Sequence, residues 1–194
     1  MFSPIYISTQ LNNGVTSDII GDYSSAPVDF IYQVPSGKIA ALTRVIIRIS
    51  DGSSIDPDVY GGLTAPLTNG ITVSVKRSDD SVLQYLHSNT VSDVVGAVAS
   101  PIKENADWAS LCYDFSIVPD SGGSKEDLAL YRWTFARAGM PLILSNQEKF
   151  CVTVNDDFTG GADPPLIHHT FTLQGLEAPE SSHNIELFMR ELST

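Results

Sequence analysis

The chain has 194 residues, of which 42% are hydrophobic and 18% are charged, and its formal net charge is −12. This composition is typical of a soluble globular protein of one domain with a core of its own. The negative charge and the scattered Lys and Arg residues argue against nucleic acid and anionic membranes as partners, because both require clustered positive charge.

The first 27 residues are rich in Ser, Thr, Asn, Gly and Pro and contain only short apolar pieces. They show neither the basic start nor the apolar stretch of a secretory signal, so we expect synthesis in the cytoplasm. No apolar run approaches the roughly 20 residues of a membrane span. We interpret residues 1–27 as an arm that lies over the domain or reaches a neighbour. Its candidate interface anchors are Phe2, Ile5, Tyr6 and Ile7.

Residues 28–194 are predicted to form one β-domain, because apolar and polar residues alternate with a period of two in many stretches. Tyr131, Trp133 and Phe135 are in phase, and we interpret them as inner-face packing. The predicted strands are Val28–Gln33, Ile39–Ser50, Ile71–Arg77, Val82–Leu86, Leu111–Ile117, Leu128–Ala136, Lys149–Asn155, Ile167–Gln174 and Asn184–Arg190.

Turn residues separate these strands. Pro35–Gly37 predicts a tight turn and Ser78–Asp80 a hairpin connection. Short helical turns are predicted at Asp56–Tyr60, with Asp56 as the cap, and at Asn105–Ser110. Many strands, long loops and one or two helical turns favour an all-β fold, an antiparallel β-sandwich of jelly-roll or Greek-key type. Residues 176–194 are expected to contain the last strand and a C-terminal tail.

The segment 154–163 ends a predicted strand and carries three carboxylates, Asp156, Asp157 and Asp163, near flexible glycines. Calcium takes six to eight oxygen ligands, so this loop is a candidate calcium site. The spacing is not that of an EF-hand. The alternative is that these side chains form Asx-turns and caps at the strand end, and the residues favour that alternative. Asp51, Asp56 and Asp58 form a second acidic loop with equally poor spacing.

No residue pattern points to catalysis. His168 and His169 are adjacent on a predicted strand and should point to opposite faces, and the other histidines, His87 and His183, are isolated. Cys112 and Cys151 fall on the polar faces of their strands, and we expect free thiols, although a disulfide stays open. There is no Gly-x-Ser-x-Gly motif and no phosphate-binding glycine loop. We therefore expect a protein without enzymatic activity and without a required cofactor.

Six phrases occur in a distinctive order: Phe30–Gly37, Asp51–Gly62, Leu67–Ile71, Ile102–Trp108, Arg132–Phe135 and Val154–Gly160. In that order they resemble a group of small virion structural proteins of tailed bacteriophages, over roughly residues 28–175. The resemblance brings no catalytic residues. It implies a β-sandwich that assembles in many copies on a phage particle, as a capsid cement or decoration protein or as a component near the neck or tail.

The leading hypothesis is therefore a non-enzymatic virion protein that stabilises contacts between capsomers. Its expected partners are other copies of itself, with a trimer as the first expectation, and virion proteins such as the major capsid protein. One alternative is a carbohydrate- or receptor-binding head of a fibre or tail, with a site formed by Trp108, Tyr60 and the loop around Asp156. A third is a hydrolase on a jelly-roll scaffold, which requires a cleft with converging carboxylates or histidines.

Overall fold

The computed structural model describes residues 2–10, 23–25, 27–51, 69–88, 113–118, 127–135, 141–156 and 170–191. Almost every element in these ranges is a β-strand. Within them the strands are β1 (Ser3–Gln10), β2 (Val28–Gln33), β3 (Lys38–Asp51), β4 (Ile71–Lys76), β5 (Val82–Ser88), β6 (Tyr113–Val118), β7 (Asp127–Thr134), β8 (Leu142–Leu144), β9 (Lys149–Val154) and β10 (Thr170–Pro179). One helix follows, α1 (Ser182–Glu191). The helical turns predicted at 56–60 and 105–110 lie outside the described residues.

The strands form two antiparallel sheets. Sheet 1 has the order β1-β10-β3-β7-β6, with β8 also paired to β3, and sheet 2 has the order β2-β9-β4-β5. The chain crosses from one sheet to the other between β1 and β2, between β2 and β3, and between β3 and β4. It crosses again between β9 and β10. Cross-sheet connections were the expectation from the long loops. The predicted all-β sandwich is confirmed.

The core lies between the inner faces of the two sheets. On β7 and just beyond it, Tyr131, Trp133 and Phe135 are all 0% exposed, so their predicted inner-face packing is confirmed. The register sets Tyr113 of β6 opposite Trp133 and Phe115 opposite Tyr131. The ring centroids of these pairs lie 5.1 Å and 5.0 Å apart. Such contacts add about 0.5–1.5 kcal/mol each beyond the area that they bury.

Two predicted connections have the expected geometry. In the turn between β2 and β3, Gly37 has a φ of 73°, a left-handed conformation that glycine adopts without strain. The backbone N–H of Lys38 closes this turn by donating to the carbonyl of Pro35 at 3.1 Å. Between β4 and β5, Asp80 has a φ of 67°, and the N–H of Arg77 donates to the carbonyl of Ser81 at 2.8 Å.

The arm predicted for residues 1–27 is in part a strand, which corrects that interpretation. β1 pairs with β10 along its whole length and forms one edge of sheet 1. Ile5 is buried in the core and Ile7 packs against it, whereas Tyr6 and Ser8 are exposed. This is the alternation of a strand with one buried face. The polar composition of the segment as a whole concealed it.

The strand predicted at Asn184–Arg190 is wrong, because these residues belong to α1. The Ser181 hydroxyl accepts a hydrogen bond from the backbone N–H of Asn184 at 3.1 Å, which is the geometry of an N-cap. The Ser181 carbonyl also accepts from the N–H of Ile185 at 3.1 Å. The preceding strand, predicted to end at Gln174, continues to Pro179. The segment after residue 176 is thus the end of a strand and a capped helix.

Helix α1 packs on the outer face of sheet 1 and makes a second, smaller core there. Phe188 is 1% exposed, and its ring centroid lies 4.9 Å from that of Phe2. The other members of this cluster are Ile39, Ala41, Ile143, Leu176 and Ala178. Phe2 is therefore partly buried beneath the protein's own helix. In the described ranges, no helix has the length and apolar character needed to cross a membrane.

Candidate assembly surface

Strand β3 has two halves with different surroundings on its outer side. It has 14 residues, which corresponds to a length of about 45 Å. Ile39 and Ala41 lie in its first half and pack beneath α1. A register shift on β10 between Gln174 and Gly175 separates this half from the second, which begins at Arg44. Outward side chains beyond the shift do not belong to the cluster under α1.

The second half of β3 directs arginines outward. Arg44 and Arg48 alternate with the fully buried core residues Val45 and Ile47. Strand β7 adds Arg132, which lies opposite Ile46 in the register. We call the outer side of sheet 1 formed by Arg44, Arg48, Arg132, Asp114 and Tyr6 the arginine face.

One arginine of this face is held by its neighbours on β6. Arg132 donates from Nε and Nη2 to Oδ1 of Asp114 at 2.9 Å and 2.5 Å, and from Nη2 to the hydroxyl of Ser116 at 3.1 Å. The side chains of Arg132 and Asp114 are 27% and 29% exposed, so water still screens the pair. Pairs of this kind contribute about 1 kcal/mol or less, and their main effect here is to fix the guanidinium in place.

The arginine face is positive on an acidic protein. Three arginines and Asp114 give this face a net charge of +2, while the whole chain has 11 basic and 23 acidic residues. The remaining residues, 8 basic and 22 acidic, therefore carry a net charge of −14. Arg48 is exposed and Arg44 is half-buried, so the positive charge reaches the surface. A surface of this sign attracts acidic partners.

Large apolar side chains border the same face. Tyr6 on the edge strand β1 is 69% exposed, and Val118 on the opposite edge strand β6 is 44% exposed. In the register, Tyr6 lies opposite Gln174, and Gln174 lies opposite Arg44, so tyrosine and arginine share one row across the sheet. Exposed Tyr and Arg side chains are enriched in protein interfaces. Of the four interface anchors expected from the sequence, Tyr6 is the one that the fold leaves exposed.

The outer face of sheet 2 differs, because its charges occur as opposite pairs. Asp29 accepts a hydrogen bond from the Thr153 hydroxyl at 2.5 Å, and Nζ of Lys76 lies 3.8 Å from the Asp29 carboxylate. Nζ of Lys149 donates to Asp80 at 2.6 Å. These pairs cancel locally, so this face lacks the excess charge of the arginine face.

The side chain of Asp156, one of the three predicted calcium ligands, accepts hydrogen bonds from backbone N–H groups. Its side chain is 5% exposed, and its Oδ2 accepts hydrogen bonds from the N–H groups of Asn69 at 2.8 Å and Gly70 at 2.7 Å. Its carbonyl accepts from the N–H of Tyr23 at 2.9 Å. These contacts are long-range, since Asn69 and Gly70 precede Asp156 by 87 and 86 residues, whereas an Asx-turn is a local contact. The other two, Asp157 and Asp163, lie outside the described residues, within which no group of three His, Cys, Asp or Glu side chains could hold a metal ion.

Of the remaining predicted residues, the three in the described ranges lie on three different elements. His183 is exposed on α1, and His87 lies in β5. Cys151 is a free thiol on the side of sheet 2 that faces away from the core, as alternation predicted, yet it is 0% exposed. Burial, followed by the nearby Asp29 carboxylate, raises the pKa of this thiol. His168, His169, Cys112, Tyr60 and Trp108 lie outside the described residues.

Sequence reasoning missed the arginine face as a unit. Arg44 and Arg48 can be placed on the outer side of β3 from alternation alone, but their proximity to Arg132 depends on the pairing of β3 with β7. No protein-family model matches this chain, and a search of curated proteins found no match either. The function is therefore inferred from these surfaces and from the phrases that resemble phage virion proteins.

Proposed function

We propose that this chain is a non-enzymatic structural protein of a tailed-phage particle, made in the host cytoplasm, that acts as a capsid cement or decoration protein and stabilises contacts between capsomers. Its partners would be other copies of itself and virion proteins such as the major capsid protein. The six phrases between Phe30 and Gly160 support the phage assignment.

The observation that carries the proposal is the order of the strands. If β6 and β8 are treated as additions, sheet 1 reads β1-β10-β3-β7 and sheet 2 reads β2-β9-β4-β5. We infer a jelly roll from this order, in which the first strand neighbours the last and the chain crosses between two four-stranded sheets at every step except the β4–β5 hairpin. Jelly rolls occur in viral capsid domains and in lectins. A fold alone does not establish a function. The sequence resemblance to phage virion proteins therefore favours a capsid role over a lectin role.

The surfaces of the sandwich support a role in assembly. The arginine face and the exposed ring of Tyr6 provide a charged and aromatic contact area of the kind found in interfaces. On a repetitive lattice, modest single contacts add up because each copy is held by several neighbours. The aromatic core keeps the outer strands in fixed positions, so little order must be gained on binding.

Mass spectrometry of purified phage particles tests the proposal. We expect this chain in many copies per particle, and particles made without it should release their DNA at a lower temperature than complete particles. Its absence from purified particles would overturn the proposal. A glycan array probed with the purified chain, with and without calcium, separates this proposal from a carbohydrate-binding head. We expect no binding on that array.

A further inference from the structure

The outer face of sheet 1 has a raised half and a low half. Helix α1 stands on the first half of β3, where Phe188 packs near Ile39 and Ala41. The second half of β3 carries the arginine face, and none of its residues belongs to the hydrophobic cluster beneath the helix. A surface with a step of this kind can fit a second copy of itself, because the raised half of one copy can enter the low half of the other.

The dimensions of the two halves match. A helix of 10 residues is about 15 Å long and about 10–12 Å wide with its side chains. The segment of β3 from Arg44 to Asp51 extends over roughly 25 Å, and the five strands from β1 to β6 span about 19 Å across. Among the described residues, the low half is therefore long and wide enough to receive one helix, with Arg48 and Tyr6 exposed around the buried Ile46 and Thr172.

The charges of the two halves are opposite. Residues 180–191 contain three Glu and one Arg, a net charge of −2, whereas the arginine face carries +2. Glu180 and Glu186 are exposed, and Ile185 on the same helix is 38% exposed. The helix thus presents acidic side chains and an apolar side chain, while the arginine face presents Arg48 and the ring of Tyr6.

We propose that two copies of this chain dimerise through the outer face of sheet 1 about a two-fold axis parallel to the sheet, so that α1 of each copy lies on the arginine face of the other. A two-fold interface requires that the same surface carry both complementary parts. The fold supplies both parts side by side, which favours a second copy over an unrelated acidic partner. The trimer expected from the sequence is a different assembly. The dimer does not depend on the virion assignment.

The contact area predicts a weak and salt-sensitive dimer. The low half offers roughly 400 Å², and the exposed side of α1 adds an area of similar order or less on each copy. The total falls near the lower end of the 1,200–2,000 Å² that specific interfaces bury, so we expect a dissociation constant in the micromolar range. Because the exposed charges are screened, raising the salt concentration should weaken the dimer.

Analytical ultracentrifugation of the purified full chain at about 1–100 μM tests the dimer. We expect a monomer–dimer equilibrium. Arg48→Glu and Glu186→Arg should each weaken it at least about tenfold, because each creates two like-charge contacts. Arg77→Glu is the matched control, since Arg77 lies on the exposed turn between β4 and β5 and the charge change is the same. It should associate like wild type.

An equimolar mixture of the Arg48→Glu and Glu186→Arg chains tests whether residues 48 and 186 contact each other across the dimer interface. In a mixed dimer both cross-contacts join opposite charges, so association should return to within about threefold of wild type. This result is specific to an interface in which the helix of each copy contacts the arginine face of the other copy. A monomer at every concentration, a trimer, or a mixture no stronger than its components would overturn the proposal. Circular dichroism of each variant verifies the fold, and none of these outcomes bears on the presence of the chain in virions.

Discussion

The backbone carbonyl oxygen of Ala41 lies 2.5 Å from the position that a β-carbon would occupy on Gly175. The Cα of Leu42 lies 3.1 Å from the same position. Both atoms belong to the backbone of β3, so they cannot move aside as the end of a side chain could. We expect Gly175→Ala to lower the free energy of unfolding by about 1–3 kcal/mol, measured by urea denaturation.

Gly37→Asn is the control for this substitution. A β-carbon at Gly37 would meet no atom within 4 Å, and asparagine adopts its positive φ of 73° more readily than other residues. We expect a loss below about 1 kcal/mol. Equal losses for the two variants would contradict the close approach of β10 to β3.

Asp156 is expected to matter for stability through its backbone contacts. Asp156→Ala removes the acceptor for the N–H groups of Asn69 and Gly70, and Gly70 is buried. The free energy of unfolding should fall by about 2 kcal/mol, with a smaller loss for Asp156→Asn, which keeps an acceptor oxygen. Thermal denaturation of wild type and both variants, each with calcium and with a chelator, measures these losses. A loss that occurs only with calcium present would instead make Asp156 a metal ligand.

Alkaline pH is expected to destabilise the sandwich through Tyr32. The Tyr32 hydroxyl is buried and lies near the carboxylate of Glu177. Burial and then the carboxylate of Glu177 raise the pKa of Tyr32 from 10.0 to about 12. Between pH 10 and 12 the unfolded chain loses this proton first, so stability that is complete below pH 10 declines across that window. Burial also raises the pKa of Tyr23, which adds to the decline.

Denaturation midpoints at several pH values measure this effect. Tyr32→Phe should match wild type or slightly exceed it at pH 8, because phenylalanine leaves no buried hydroxyl. Above pH 10 it should lose less stability than wild type does. Identical curves for the two proteins would show that Tyr32 does not carry the alkaline transition.

The docking of α1 depends on Phe188. This ring is 1% exposed and packs beside Phe2, so Phe188→Ala should lower the free energy of unfolding by about 3 kcal/mol. Ile185→Ala, on the exposed side of the same helix, should cost less than about 1 kcal/mol. Chemical denaturation compares them. If the two substitutions cost the same, the second core under α1 is not formed.

Alternation of apolar residues predicted most strands correctly because each has one face in the core. Val28–Gln33 is observed with the predicted bounds. The same reasoning failed at α1, where Ile185 and Leu187 alternate with the polar Glu186, but the residue that the fold buries is Phe188. The signal that distinguishes a helix from a strand is the cap at Ser181, since a hydroxyl residue just before a segment favours a helix start there.

The candidate surface was less accessible to sequence reasoning, for a physical reason. Alternation places Arg44 outward, but it does not determine which strand lies beside β3. That neighbour, β7, is paired through contacts between residues far apart in sequence, such as Arg44 with Thr134. The edge strand β1 was hidden similarly, because the burial of Ile5 depends on its pairing with the distant β10. The local sequence pattern indicates which side chains of a strand face the core. The register between paired strands determines which side chains lie next to each other on a sheet face.

The most direct test of the central claim, that this sandwich functions by binding a phage particle, is co-sedimentation of the purified chain with particles produced without it. We predict saturable binding at a copy number fixed by the capsid lattice, together with recovery of the particles' resistance to heat. Failure of the folded chain to sediment with those particles at any concentration would contradict the account.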